Sequence, residues 1–186
     1  MCPSCHSKHL TETNAIEVGH TFLLGEKYSK IFNASYNDSE GKRRVMQMGC
    51  YGLGVSRIMA AALQVLSDEN KLRWPIKIVP FKVAILAPKE GSKEVSVMDQ
   101  VFHLYDHLNS HQEFFNDVII DDRPDLTVGK KLRDAKRTGY PFIVLFGKSS
   151  IDPLNPVVEL HQYEEMIKLP VNQVLYYFES INENFS

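Results

Sequence analysis

Apolar and polar positions along this chain change period at residue 54. Arg44, Val45, Met46, Gln47 and Met48 alternate, the period of a half-buried strand. Gly49, Gly52 and Gly54 follow, and glycine lets another group approach the backbone closely. From Gly54 the spacing is helical. Val55, Met59, Ala62, Leu63 and Leu66 share one face, Arg57 and Gln64 lie opposite, and Ser67-Asp68-Glu69-Asn70 closes the helix. Upstream, residues 15–25 read as a strand with a glycine bend, and residues 26–32 as a short helix carrying Tyr28, Ile31 and Phe32. Residues 34–37 and 43–48 make two strands joined through Asp38-Ser39-Glu40-Gly41, a hairpin signal.

Pro75 and Pro80 break any regular element and mark a connector. The expected division is residues 1–73, a connector at 74–80, and residues 81–186, with Trp74 anchoring the connector. Beyond it the pattern becomes α/β. Strands are predicted at 81–87, 117–121, 142–146 and 157–160. Ser92 caps a helix reaching about residue 109, with Val95, Met98, Val101, Phe102, Tyr105 and Leu108 on its core side. Thr127 caps the next helix, which buries Val128, Leu132 and Ala135 and stops at Thr138-Gly139-Tyr140-Pro141. Pro170 opens a closing helix with Val174, Leu175, Phe178 and Ile181 at helical spacing.

The formal charge of −2 over 186 residues means that any nucleic-acid surface must be a local patch. No apolar run is long enough to span a bilayer, so no membrane is expected. Neither a signal peptide nor a transit segment precedes the first pattern, and the chain reads as a fragment of something longer. Three cysteines argue against a disulfide framework and for a reducing compartment. Cys2-Pro3-Ser4-Cys5, with His6 and His9, has no second ligand pair elsewhere and is read as a leftover knuckle, so no metal site is assigned.

Two stretches carry chemistry. A helix start, bare backbone N–H groups and the first-turn Arg57 suit an anion; a glycine-rich turn with a surface arginine is the plainer alternative. Asp121-Asp122-Arg123 ends a strand, where open α/β sheets bind ligands. The following helix collects Lys130, Arg133 and Arg137 on its outer face, with Lys131 at the edge, which suits phosphates or base edges or is simply a solvated face. Lys42-Arg43-Arg44 is a solvated strand end, or an RNA contact.

The wording G-C-Y-G-L-G-V-S-R, residues 49–57, resembles motif 3 of class II aminoacyl-tRNA synthetases, the prolyl-tRNA synthetases in particular. G-H-x-F-x-L-G-x-K-Y-S, matched by Gly19, His20, Phe22, Leu24, Gly25, Lys27, Tyr28 and Ser29, is similar to their bacterial-type proline-pocket segment. The Cys-Pro-x-Cys also has a counterpart there. D-D-R, a glycine before a lysine, Asp134-Ala135 and Gly139-Tyr140-Pro141 resemble the anticodon-binding domain of several class II synthetases.

The resemblance implies part of an antiparallel catalytic sheet of α+β type, followed by an α/β anticodon-binding domain with a mixed sheet flanked by helices. It implies ATP contacts at Gly52, Gly54 and Arg57, the last catalytic, and a proline pocket at Gly19, His20, Phe22 and Cys50. His20 read alone is as well a satisfied structural histidine. Arg123 and Lys131, with Lys130 as alternative, would read anticodon guanines, whose O6 and N7 accept hydrogen bonds. ATP as substrate, Mg2+, proline, tRNA(Pro) and a homodimer in the full-length enzyme follow, in the mitochondrial matrix or a bacterial cytoplasm. Motifs 1 and 2 are not recognisable, so the chain alone is expected to be catalytically incomplete. The alternative is a synthetase-like nucleic-acid-binding accessory protein without catalysis.

Overall fold

The computed structural model of the chain describes residues 2–69 and 71–182. Asn70, expected in the stop of the helix after Gly54, lies outside them. The chain forms two compact units, Met1–Ala61 and Ala62–Ser186.

In the first unit, β1 (Gly19–Gly25) pairs antiparallel with β4 (Met48–Leu53), and β2 (Ser35–Asn37) with β3 (Arg43–Val45). Asp38 shapes the β2–β3 turn by accepting from the Lys42 and Glu40 N–H groups and from Arg44 Nε. The strand expected to run unbroken over 43–48 is interrupted at Met46-Gln47. Met46 N still donates to Ala34 O in register, but the return bond is lost because Ala34 N donates to Ser29 O and Met46 O accepts from Ser29 Oγ, so the ladder stops there. Residues 26–33 form turns, not the expected helix. Two bonds of helical type form, from Lys30 N to Glu26 O and Phe32 N to Tyr28 O. Ile31 and Phe32 stay about three-quarters exposed, so no buried apolar face supports a helix here. After Leu53 the chain enters α1 (Val55–Leu66), which carries no buried residue. Among the described residues up to 61, Ser29 alone is buried.

The second unit is a five-stranded sheet in the order β6-β5-β7-β8-β9. β5 (Val83–Leu86), β6 (Val118–Asp121) and β7 (Phe142–Leu145) are parallel; β8 (Val157–Gln162) and β9 (Glu165–Pro170) add antiparallel. β5 and β7 are buried on both faces, which their unbroken apolar runs require. α2 (Met98–Ser110) and α4 (Val174–Asn182), the latter through Phe178, cover one face over Val83, Ile85, Phe142 and Val144; α3 (Val128–Thr138) covers the other over Leu86, Ile143 and Leu145.

Three expectations are corrected here. Lys93–Val97 is a 3-10 turn before α2, and Ser92 makes no side-chain cap. Three residues per turn rotate the apolar stripe, so Val97, Val101, Leu104 and Leu108 go inside while Val95 and Phe102 stay exposed. Pro170 ends β9, a strand absent from the sequence reading, and α4 begins four residues later. The β8–β9 hairpin turns on Tyr163 at φ +51 with no glycine to announce it.

The packing contrast predicts unequal stability. Phe178→Ala, removing a fully buried ring that meets Phe114 and Phe142 edge-on, should lower unfolding stability by about 3–5 kcal/mol in urea titrations. Residues 67–186 made alone should unfold cooperatively, and residues 2–66 should self-associate, because exposed strand edges and apolar side chains invite pairing. Analytical ultracentrifugation and thermal melts of the two segments check this; equal, cooperative, monomeric behaviour would contradict it.

Candidate nucleotide and nucleic-acid sites

The β1–β4 register aligns His20 with Gly52 and Phe22 with Cys50. Opposed residues of an antiparallel pair project to one face, so the four positions form one surface. His20 and Phe22 stack with ring centroids 4.0 Å apart. Gly52 has open space where a Cβ would stand, so a ligand can lie against its backbone. Gly19 and Gly54 serve packing. A Cβ at Gly19 would meet Leu53 Cδ2 at 2.7 Å, and one at Gly54 would meet Arg57 Cβ at 3.2 Å. Gly54 N donates to Val18 O at 2.8 Å, which joins the start of α1 to the residue just before β1.

Arg57 lies in the first turn of α1, exposed, with Nη1 donating to Glu17 O at 3.2 Å. The Glu17 carboxylate lies 3.4 Å from His20 Nδ1. Glu17 therefore bridges the arginine and the histidine, a link that the sequence spacing did not suggest.

In the second unit Asp121 pairs with Leu86, so its side chain shares the α3 face of the sheet. Arg123 Nε and Nη2 donate to its two carboxylate oxygens at 2.8 and 2.7 Å, and Nη2 also reaches Asp134 Oδ2 on α3 at 3.0 Å. Burial pushes the Asp121 carboxyl up, but the hydrogen bonds and charge of Arg123, with the charge of Lys131, outweigh it and hold the carboxyl below the usual carboxylate range. The Arg123 guanidinium is held charged still more firmly by Asp121 and Asp134. α3 lies over β5 and β7 and leaves β6 at the sheet edge beside a groove of about 380 Å³. Asp121, Asp122, Arg123, Asp134, Thr138 and Tyr140 line it. Asp134 as the second partner of Arg123 and Tyr140 as a wall are additions that the sequence reading did not assign.

Lys131 is not at the helix edge. It is fully buried, and its Nζ donates to Ala87 O at 2.7 Å and Asp121 O at 3.1 Å, at the carboxyl ends of β5 and β6. Burial lowers its pKa, against the pull of Asp121. The helix turns it inward because Val128, Lys131, Leu132 and Ala135 form one stripe, and its long stem reaches through to the strand ends. In this conformation it offers no surface to a base. Lys130, Arg133, Lys136 and Arg137 are exposed. A larger groove of about 810 Å³ lies between α2 and α4. Its lining includes no lysine or arginine, so it does not suit a polyanion.

The family described as "Anticodon binding domain" matches residues 82–180. The chain is 47% identical over 152 residues to the probable mitochondrial proline–tRNA ligase of Homo sapiens, covering 81% of this chain and 32% of that protein. It is 39% identical over 151 residues to the proline–tRNA ligase of Caldicellulosiruptor bescii, covering 80% of this chain and 25% of the relative. The chain thus spans about a third or less of the length of these curated relatives. Among solved structures, the fold is similar to prolyl-tRNA synthetase from Cryptosporidium parvum complexed with halofuginone and AMPPNP, with TM-score 0.65, 20% identity, and 90% of this chain and 34% of that one covered. It is similar also to the Giardia lamblia prolyl-tRNA synthetase in complex with prolyl-adenylate, with TM-score 0.69, 22% identity, and 85% and 32% covered. The chain belongs to the anticodon-binding-domain family, and it corresponds to the C-terminal portion of the prolyl-tRNA synthetases.

Proposed function

We propose that this chain is the part of a proline–tRNA ligase that supplies the motif 3 contacts to ATP and reads the anticodon of tRNA(Pro). The observation that carries the first half is the register that sets His20, Phe22, Cys50 and Gly52 on one face. Proline lies against His20, Phe22 and Cys50, with Gly19 holding the strand pair close. ATP lies over the open backbone at Gly52 and the start of α1, its phosphates against Arg57. Catalysis is positioning and charge stabilisation of the attack of the proline carboxylate on the α-phosphate. Pyrophosphate leaves, and the adenylate then transfers proline to the terminal adenosine. Cys50 takes no nucleophilic role.

Mg2+ enters with ATP. Phosphate oxygens and water supply most of its ligands in such sites. Among the described residues no three His, Cys, Asp or Glu side chains gather into a metal site, so no step here runs through the ion. Residues 1–73 are proposed as catalytic-domain sequence, 74–80 as connector and 81–186 as the anticodon-binding domain. A homodimer of the longer enzyme and the mitochondrial matrix are part of the same reading. The 47% identity to a mitochondrial relative, against 39% to a bacterial one, favours the matrix.

In the second unit the base-reading side chain is Arg123, with Lys130 exposed at the start of α3. Lys131 is assigned instead to holding the ends of β5 and β6, a positioning role. Four outcomes are expected. Arg57→Ala in the full-length enzyme should reduce proline-dependent pyrophosphate exchange about tenfold or more, the loss of about 1.5–3 kcal/mol from one charge-assisted contact. An unchanged rate would leave Arg57 a surface residue and favour the non-catalytic accessory reading. Arg123→Ala should weaken binding of a proline anticodon stem-loop by about 1–3 kcal/mol, and much less once the anticodon guanines are replaced. Arg137→Ala should instead weaken both RNAs alike and flatten the salt dependence. Lys131→Met should lower unfolding stability by about 1–3 kcal/mol, because the Ala87 carbonyl loses its Lys131 donor, whereas the Asp121 carbonyl keeps the bond from Ala87 N. The ratio of affinities for the two stem-loops should stay unchanged. A collapsed ratio in a folded variant would return Lys131 to the base contact.

A further inference from the structure

Residues 67–69 and 71–74, which follow α1, are fastened to the rest of the second unit at several points. Trp74 Nε1 donates to Thr138 O at 3.0 Å, the last residue of α3, and Trp74 O accepts from Tyr163 Oη at 3.4 Å. Lys71 and Arg73 both pair with Glu164 in the β8–β9 turn. Arg73 N donates to Ser67 Oγ at 2.9 Å and so folds the segment on itself. Gly139 fits beneath it: a Cβ there would stand 2.5 Å from Leu72 O.

The same helix end forms a wall of the Arg123 groove. Thr138 and Tyr140 line that groove, and Tyr140 also lines the cleft beneath Lys71, Leu72 and Arg73. A continuous chain of bonds joins the two places. Arg123 Nη2 holds Asp134 Oδ2 at 3.0 Å, Thr138 Oγ1 donates to Asp134 O at 3.0 Å, and Thr138 O receives Trp74. We infer that docking of residues 67–74 and occupation of the Arg123 groove are linked equilibria, so that RNA bound at Arg123 loosens the segment that follows α1. The inference rests on the anticodon reading. A guanine that takes the N–H groups of Arg123 through O6 and N7 competes with Asp134 for them. Asp134 then loses its partner in the turn of α3 that receives Trp74. Coupling of this kind is reciprocal: a loosened segment must favour the RNA by the same factor by which RNA favours loosening.

Trp74 is the single tryptophan of the 186 residues, so its emission reports docking directly. The probe is a fluorescein-labelled proline anticodon stem-loop, with binding followed by anisotropy and Trp74 followed by emission maximum and acrylamide quenching. Saturating RNA should shift the emission to the red and raise quenching. Gly139→Ala, which must lift Leu72, and Glu164→Gln, which cuts both ion pairs, should give part of that shift without RNA and bind the stem-loop about 3–10-fold more tightly. Glu165→Gln removes the same charge one residue along and controls for simple electrostatics. If Gly139→Ala does not fold, Glu164→Gln against Glu165→Gln decides. RNA that binds with Trp74 unchanged, and with equal affinity for Glu164→Gln and Glu165→Gln, overturns the linkage and leaves the anticodon reading intact. A wild-type chain that does not bind the stem-loop overturns both.

Discussion

The second unit depends on one buried cation. An ammonium removed from water must be matched by acceptors, and Lys131 finds two backbone carbonyls at the ends of adjacent parallel strands. The Asp121 carbonyl also accepts from Ala87 N, the last bond between β5 and β6, and beyond it the chain diverges toward different helices. Lys131 therefore closes the sheet where its ligand groove opens. The Asp121 carboxylate beside it is held ionised chiefly by hydrogen bonds from Arg123, which it grips with both oxygens, and the Lys131 charge adds a smaller pull in the same direction. The groove then presents a guanidinium fixed in orientation by Asp121 and Asp134, and preorganisation of this kind lowers the cost of binding a ligand.

The second unit's fold was largely legible in the sequence because its elements are bounded by strong punctuation. Thr127 caps α3 by accepting from Lys130 N, and Gly139 ends it at φ +83. The buried runs of β5 and β7 cannot be mistaken for surface. What escaped the reading had no local mark. β9 follows a hairpin with Tyr163 at positive φ, where glycine or asparagine is the usual signal. The rotation of the α2 stripe came from a 3-10 turn that hydrophobic spacing does not register. Lys131 was misplaced for a different reason: charge type suggests exposure, and only tertiary packing shows that its stem, not its charge, faces the α3 stripe.

The first unit was read through its wording more than its pattern. The pairing of His20 with Gly52 and Phe22 with Cys50 follows from two strands of alternating residues brought antiparallel, so the shared face was implicit in the sequence. The helical reading of residues 26–32 failed because a short helix needs a packed face, and Ile31 and Phe32 find none among the described residues. The Glu17 bridge between Arg57 and His20 lies forty residues apart in sequence on one side, a distance over which no spacing rule operates.

The two units thus hold their functional groups by different physics. Around Arg123 the side chains rest on the buried aliphatic cluster of Leu86, Ala135, Ile143 and Leu145 and are tied by ion pairs partly shielded from water. Around Arg57 the geometry is held mainly by the β1–β4 ladder, by Gly19 and Gly54, and by one bond to a backbone carbonyl. β1 and β4 each have one neighbour, while Leu23, Tyr51, Leu53 and Val55 stand exposed. A nucleotide site needs low dielectric and excluded water for an arginine to act at full strength on a phosphate. The exposed first unit does not itself supply that enclosure. On the proposed reading, a catalytic effect of Arg57 requires further sheet and side chains over the β1–β4 face, whereas the groove beside α3 is lined entirely from its own unit.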